Sequence, residues 1–197
     1  MGLEVFPIQV TLKDGPKVML APLDPEQGKP LRDFYRALPE EDRQFLKDDV
    51  TSEGWCERFL KKVESREVVS LVARSGQKVV AEGSLYRALY GWTRHVGELR
   101  VAVCPDLRRK GLATEVAKAL VQIATDLGIE KLIVQVVEHQ VPARRTFEKL
   151  GFHQEAVLPH HVMDLQGQKR DLLLLANDVS HIWAAMEALD SDFTPMD

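Results

Sequence analysis

The chain has 197 residues, of which 45% are hydrophobic and 28% charged, a composition typical of one soluble domain with a well-buried core. Its net charge of −4 argues against broad nucleic-acid binding, which needs a basic surface. No run approaches the roughly 20 apolar residues of a membrane-spanning helix. We therefore expect neither a nucleic acid nor a membrane as partner.

The metal-binding and sulfur chemistry of the chain is predicted to be minimal. Cys56 and Cys104 are far apart in sequence and have no metal-ligand spacing, so we expect no disulfide framework. His160 and His161 are adjacent on a predicted strand and point to opposite faces, so no metal site is predicted there. The first residues lack the basic start and apolar run of a secretory signal, and we expect a cytoplasmic protein.

The first half of the chain predicts a strand, several helices and then a group of strands. Residues 17–22 read as a short strand, and residues 30–46 as two helices separated by Pro39. Residues 54–65 have helical apolar spacing. Three β-rich runs joined by short turns then predict an antiparallel meander over residues 67–74, 78–89 and 97–105.

The second half changes to alternating helices and strands. A helix over 112–127 followed by a strand over 130–138 predicts a crossover that makes this strand parallel to the one before the helix. A short helix over 142–151 precedes a predicted hairpin formed by residues 152–164 and 169–176. The last helix, 178–189, is amphipathic and docks on the core or joins two subunits, so a homodimer is one possibility.

The stretch "VAVCPDLRRKGLATEV", from Val101 to Val116, predicts an anion site. An apolar strand stops at Pro105, a basic triplet follows, and Gly111 precedes a helix that begins with small residues. The first amides of a helix have no intrahelical partners, and together with the helix dipole they bind anions. Gly111 and Ala113 leave room for a ligand against the backbone, and a pyrophosphate fits this arrangement. The nucleotide P-loop and dinucleotide-binding patterns do not occur.

Two segments of the chain resemble the GNAT superfamily of acyl-CoA N-acyltransferases. Residues 108–113, "RRKGLA", match its [QR]-x-x-G-x-[GA] pattern, and residues 101–107 look like its fourth strand and the loop that follows. Residues 140–152 are similar to its N-x-x-A-x-x-x-[YF]-x-x-x-G-F segment, and the resemblance extends from about residue 17 to 176. Residues 12–46 also resemble the start of GNAT domains in bacterial protein-lysine acetyltransferases.

The resemblance implies a mixed α+β fold in one domain, residues 1–197, with residues 178–197 as a C-terminal helix and tail. Its central sheet is mostly antiparallel, with one parallel strand pair at a splay and helices on both faces. The pantetheine arm of acetyl-CoA, the implied cosubstrate, would pair with the strand at Val101, Ala102 and Val103. The pyrophosphate would bind the amides of Arg109, Lys110, Gly111, Leu112, Ala113 and Thr114, and Arg108 and Lys110 would neutralise it.

The resemblance also implies transfer of an acetyl group to a primary amine by direct attack, assisted by a general base. Glu98 lies where many GNAT enzymes place a catalytic glutamate, and we expect burial to raise its pKa toward a useful range. The alternatives are that Glu98 is a surface charge and that His95 is the base. The amide of Val103 is the expected donor to the tetrahedral oxyanion.

Two positions depart from the family pattern. Phe147 stands at the usual tyrosine position and cannot donate a proton, so water, a tyrosine from the N-terminal helices or the ammonium product would protonate the thiolate. Gln140 replaces the usual asparagine. The resemblance still implies that both residues contact the cofactor, with the Phe147 ring packed against the pantetheine arm or, alternatively, against the core. Both departures favour a rival hypothesis, a non-catalytic acyl-CoA-binding module, which Glu98 opposes. The acceptor is left open among a protein lysine, a polyamine, an amino acid and an aminoglycoside.

Overall fold

An eight-stranded sheet with the order β1-β2-β3-β4-β5-β6-β8-β7 organises residues 5–191, the part of the chain that this computed structural model describes. The predicted tail beyond Ser191 lies outside the described residues. The strands are β1 (Ile8–Thr11), β2 (Lys17–Pro22), β3 (Val68–Ser75), β4 (Lys78–Arg87), β5 (Val96–Val103), β6 (Lys131–Val137), β7 (His153–Met163) and β8 (Lys169–Asp178).

Six α-helices connect or cover these strands within the same described range. They are α1 (Gly28–Ala37), α2 (Glu40–Arg43), α3 (Glu53–Glu64), α4 (Leu112–Asp126), α5 (Val141–Lys149) and α6 (Val179–Ser191). Single 3₁₀ turns precede α1 at Pro25–Gln27 and α4 at Pro105–Leu107. None of the helices between residues 5 and 191 has the length and apolar character needed to span a bilayer.

The pairing of the strands confirms the predicted fold class. Strands β3, β4 and β5 form the predicted antiparallel meander, and β5 and β6 pair in parallel through the crossover helix α4. Strand β8 pairs antiparallel with β6 on one side and with β7 on the other. The fold is therefore mixed, with one parallel pair in a sheet that is otherwise antiparallel.

Two elements near the N-terminus differ from the sequence prediction. Strand β1 was not predicted, because four residues are too few to display an alternating pattern; it pairs with β2 across a turn at Asp14 and Gly15. The second predicted helix, extending to Leu46, is limited to the four residues of α2. Beyond it, the amides of Phe45 and Leu46 donate to the carbonyls of Asp42 and Arg43, only three residues earlier, so the chain continues in turns rather than as an α-helix.

Apolar side chains cover both faces of the sheet. One cluster contains the buried residues of α4, α5 and α6, and the other contains those of α1 and α3. Helix α4 lies close to the sheet at Gly83, where a Cβ atom would overlap the side chain of Val116. Helix α6 packs on the first cluster through Ile182, and the Trp183 indole donates to Thr125 Oγ1 at 2.7 Å. These apolar side chains of α6 thus pack on the core of the same chain, which is the first of the two alternatives predicted for this helix.

Candidate active site

The parallel strands β5 and β6 remain together over only three residue pairs. Val96, Gly97 and Glu98 pair with residues 131–133, and beyond Glu98 the two strands separate. Strand β6 continues to pair with β8 as far as Val137, whereas β5 continues beside β4 as far as Val103. The separation leaves an opening along one edge of β5, which we call the cleft.

Backbone direction decides which residues of β5 serve the cleft. The amide of Cys104 donates to the Val80 carbonyl of β4 at 2.9 Å. Because backbone direction alternates along an antiparallel strand, Ala102 also bonds toward β4, whereas Val101 and Val103 face the cleft. Two of the three residues expected to contact pantetheine therefore direct backbone groups into the cleft, and the backbone of Ala102 serves the sheet.

The loop after β5 delivers the chain to the start of α4. Arg109 and Gly111 have positive φ values of 61° and 88°, and the first intrahelical bond of α4 runs from the Glu115 amide to the Gly111 carbonyl. The amides of residues 112–114 precede that bond and lack partners within the helix. A Cβ at Gly111 would meet no atom within 4 Å, so the backbone conformation rather than space requires glycine there.

Arg108 is held by an ion pair and by a hydrogen bond to the backbone. Its Nη2 lies 2.6 Å from Asp42 Oδ2, and its Nε donates to the Val103 carbonyl at 3.2 Å. This guanidinium thus joins the cleft edge to the segment after α1. The side chains of Arg109 and Lys110, next to the helix start, are exposed and half-buried respectively.

Glu98 lies at the point where β5 and β6 separate, and two cations hold its carboxylate. Its Oε1 lies 2.5 Å from Lys47 Nζ and 2.9 Å from Arg100 Nε, and its side chain is only 17% exposed. Burial alone would raise the pKa of Glu98, but the hydrogen bonds from Arg100 and Lys47 lower it below its ordinary value. The expectation of a raised pKa is therefore wrong, because the sequence does not reveal the cation-rich surroundings.

Arg100 extends the charged network across the sheet surface. Its guanidinium carbon lies 3.8 Å from the centre of the Tyr86 ring, and its Nη1 lies 3.4 Å from Asp48 Oδ2. The stacking on Tyr86 fixes the guanidinium beside Glu98. His95, the alternative base, is exposed in the loop before β5, where its carbonyl accepts from the amides at the start of β6.

Residues 39–52 cross the cleft, and we call this segment the strap. Its contacts reach the loop before α4, the loop after β6, the turn between β7 and β8, and the end of the parallel pair. They are Asp42 with Arg108 at 2.6 Å, the Phe45 ring with the His139 ring at 4.6 Å between centroids, Gln44 Oε1 with the Leu165 amide at 3.1 Å, and Lys47 with Glu98 at 2.5 Å. The strap thus contacts β5 at Glu98 and three loops that lie beyond strand or helix ends.

The two residues that depart from the family pattern have structural partners. Gln140 Oε1 accepts from the Val137 amide at 3.0 Å and so closes the loop between β6 and α5. Phe147 is buried, with its ring edge-on to Phe152 at 5.5 Å between centroids. Phe147 is therefore part of the core on the α4 face of the sheet.

Sequence reasoning missed a buried carboxylate, Glu82, on β4. Its Oε2 accepts from the Tyr35 hydroxyl at 2.7 Å, and its Oε1 accepts from the hydroxyls of Ser70 and Ser84. Burial raises the pKa of Glu82, although the three hydroxyl bonds oppose the change. Burial also raises the pKa of Tyr35 well above its ordinary value. Because its hydroxyl donates to Glu82, Tyr35 is not placed to protonate the CoA thiolate.

The sequence carries a signal for Glu82, because Glu82 is the only acidic residue within the apolar run of β4. No comparable signal exists for Lys47 or Asp42. Each lies in a polar surface segment, and their partners are 51 and 66 residues away in sequence. Such contacts become visible only when the chain is folded.

The raised pKa of Glu82 predicts a pH-dependent stability difference. Between the unfolded and the higher folded pKa the native protein binds more protons, so this group makes stability fall as pH rises. Glu82→Gln cannot ionise, so we expect the variant to gain stability relative to wild type as pH rises from about 4.3, the unfolded Glu value. Urea unfolding at several pH values measures this difference.

The matched control is Glu57→Gln, on the exposed surface of α3. It makes the same chemical change at an exposed carboxylate and so measures the effect of the substitution apart from burial. Parallel stability curves for Glu82→Gln and wild type would contradict the assignment of a raised pKa to Glu82.

Comparison with known proteins gives a consistent family and fold. A model of the Acetyltransferase (GNAT) family matches residues 30–152. None of the curated proteins gives a significant match to the chain. Among solved structures, an acetyltransferase of the GNAT family from Streptococcus pneumoniae aligns with a TM-score of 0.69 and 18% identity, covering 82% of this chain and 99% of that one.

Two further structures show the same likeness. The protein yncA from Salmonella typhimurium, solved with its cofactor acetyl-CoA, aligns with a TM-score of 0.69 and 18% identity, covering 82% of this chain and 94% of that one. A ribosomal-protein-alanine N-acetyltransferase from Brucella melitensis aligns with a TM-score of 0.70 and 18% identity, covering 81% and 98%. At these identities the likeness shows a shared fold.

Proposed function

Because the chain belongs to the GNAT acetyltransferase family, we propose that it transfers an acetyl group from acetyl-CoA to a primary amine, with Glu98 as general base. The observation that carries this proposal is the separation of β5 from β6 directly after Glu98. A cleft that begins at a carboxylate and ends at a helix start suits a cosubstrate with a reactive thioester at one end and phosphates at the other.

The coenzyme side of the proposal uses backbone groups. Val101 and Val103 would pair with the pantetheine amides as an added strand does, because both face the cleft. The amides of Arg109 to Thr114 would bind the pyrophosphate at the start of α4. Lys110 supplies positive charge there, and Arg108 joins it only by leaving Asp42.

The chemical step requires a neutral amine, whereas an amine of pKa near 10.4 is almost fully protonated at neutral pH. Glu98 is ionised because its pKa is lowered, so it would first bind the acceptor ammonium in place of Lys47. Its carboxylate would then accept a proton, directly or through water, as the nitrogen attacks the thioester carbonyl. The Val103 amide would donate a hydrogen bond to the oxyanion. The CoA thiolate would then leave and take a proton from the nitrogen of the acceptor amine.

The charge of the strap favours a cationic acceptor. Five acidic side chains occur within the strap, and they are Glu40, Glu41, Asp42, Asp48 and Asp49. Asp42 and Asp48 are paired with Arg108 and Arg100, and the other acidic side chains of the strap attract cations and raise their local concentration. Lysine side chains, polyamines and aminoglycosides therefore fit better than the zwitterionic amino acids.

Acetyl-CoA turnover against a panel of amines tests the proposal. Free-thiol release is measured with lysine peptides, polyamines, amino acids and aminoglycosides, and one cationic class is expected to exceed the hydrolysis background. Calorimetry with CoA provides the matched binding measurement. Binding without turnover on any amine would favour the rival acyl-CoA-binding module, to which Phe147 and Gln140 lend support.

A further inference from the structure

Lys47 places an amine at the site where the acceptor amine is proposed to bind. Its Nζ lies 2.5 Å from Glu98 Oε1, and Glu98 is the last residue of β5 that pairs with β6. The thioester end of a cosubstrate in the cleft would come to this point. We propose that Lys47 is itself an acetyl acceptor, so that the chain acetylates its own strap; this inference rests on the proposed function.

Two anchored residues of the strap precede Lys47 and hold this part of the strap in position. Asp42, five residues before Lys47, forms an ion pair with Arg108. Phe45, two residues before Lys47, packs against the ring of His139. A tethered, oriented amine reacts at a high effective concentration, which an external acceptor must match by binding. Lys47 is therefore a stronger candidate than a lysine that merely lies on the surface.

Another lysine of the chain supplies a close comparison. Lys131 forms an ion pair of 2.6 Å with Glu155 and is 32% exposed, against 2.5 Å and 35% for Lys47. Glu155 lies on β7, at the far edge of the sheet from β5. The two lysines thus share pairing and exposure and differ in whether the paired carboxylate borders the cleft.

The step balances with the components already named. The Lys47 ammonium gives one proton to Glu98, and the neutral nitrogen attacks the acetyl carbonyl. A carbon–nitrogen bond forms, the carbon–sulfur bond breaks, and the thiolate takes the second nitrogen-bound proton. Acetyl-lysine and free CoA result, and Glu98 returns its proton to solvent.

Acetylation would change the charge around Glu98. The acetylated side chain is neutral, so Glu98 would keep Arg100 as its cationic partner and lose Lys47. Losing a hydrogen-bonded cation raises the pKa of a carboxylate, which makes Glu98 a better base. The same change removes an internal competitor for external amines, so we expect the modified chain to bind a cationic acceptor more tightly.

Mass spectrometry of the full chain incubated with isotope-labelled acetyl-CoA tests this inference. We expect Lys47 to gain the label at least about tenfold faster than Lys131, as its orientation implies. Within one molecule the rate is independent of protein concentration. Glu98→Gln should slow labelling of Lys47 and leave labelling of Lys131 unchanged. Lys47→Arg should abolish that label, and Lys131→Arg, the matched control, should retain it.

The outcomes separate the two proposals. Turnover of an external amine with Lys47 labelled no faster than Lys131 would overturn the inference and leave the proposed function intact. A rate proportional to protein concentration would also overturn it, because one molecule would then be modifying another. Folded chain that labels neither Lys47 nor any external amine would overturn the proposed function itself. Unlabelled acetyl already on Lys47 in wild type, but not in Glu98→Gln, supports the inference.

Discussion

Replacing Glu98 with glutamine is expected to lower kcat with a cationic amine by about 10²- to 10⁴-fold, the usual contribution of a general base. Glutamine keeps the shape of the side chain but cannot take a proton from the acceptor ammonium. The affinity for acetyl-CoA is expected to change little, because the backbone of β5 and the start of α4 are proposed to bind it. Steady-state kinetics and calorimetry measure the two quantities separately.

The pH profile adds a second measurement on the same pair of proteins. Because Lys47 and Arg100 lower the pKa of Glu98, its carboxylate is ionised from below its ordinary value of 4.5 upward. Catalysis needs the ionised form, so Glu98 limits activity only at pH below that value. Between pH 6 and 9 Glu98 is ionised and the acceptor is an ammonium, as the proposed step requires, so wild-type activity is expected to vary little with pH.

Glu155→Gln is the matched control for Glu98→Gln. It also removes a carboxylate that is paired with a lysine, Lys131 at 2.6 Å, but on a strand that does not border the cleft. Its kcat is expected to equal that of wild type. Equal activity of Glu98→Gln and wild type would mean that another group accepts the proton, and His95 would be the next residue to replace.

A negative charge at the start of α4 is expected to weaken the binding of acetyl-CoA. Ala113→Asp introduces a negative charge beside the amides proposed to bind the pyrophosphate. Negative charge at a helix start stabilises the helix by about 0.3–1 kcal/mol, so the melting temperature should not fall. Repulsion of the phosphates is expected to weaken acetyl-CoA binding by about 10- to 100-fold, or about 1.4–3 kcal/mol.

Ala113→Asn separates charge from size. Asparagine has nearly the same volume as aspartate and no charge, so any loss that both variants share is steric. We expect the aspartate variant to bind acetyl-CoA at least about tenfold more weakly than the asparagine variant, and the gap to narrow at high salt. Equal affinities would indicate that the phosphates bind elsewhere.

The fold could be predicted from the sequence because its signals are local. The alternation in the strands of the meander and the spacing of α4 each arise within one window, and the crossover between β5 and β6 follows from their order. The position of Glu98 relative to Val101 and Val103 is equally local, since all three belong to one strand. Strand β1 was missed because its four residues are too few to show an alternating pattern, and its pairing with β2 becomes visible only in the structure.

The electrostatics of the candidate site could not be predicted in the same way. The sign of the pKa change at Glu98 depends on Lys47, which is 51 residues away in sequence and belongs to an irregular segment. Burial was expected from the apolar neighbours of Glu98 in its strand, but the cation that outweighs burial comes from the strap. Glu82 shows the reverse case, since its surroundings are hydroxyl groups and burial prevails.

The narrow join between β5 and β6 also has a consequence for how the protein unfolds. Three residue pairs connect these strands, whereas seven connect β4 to β5 and seven connect β6 to β8. Under partial denaturation the unit of β6, β8 and β7 is therefore expected to detach from the other five strands before either unit loses its own ladders. A molecule bound along the cleft would bridge the two units, so hydrogen exchange at the join should slow when the cosubstrate binds.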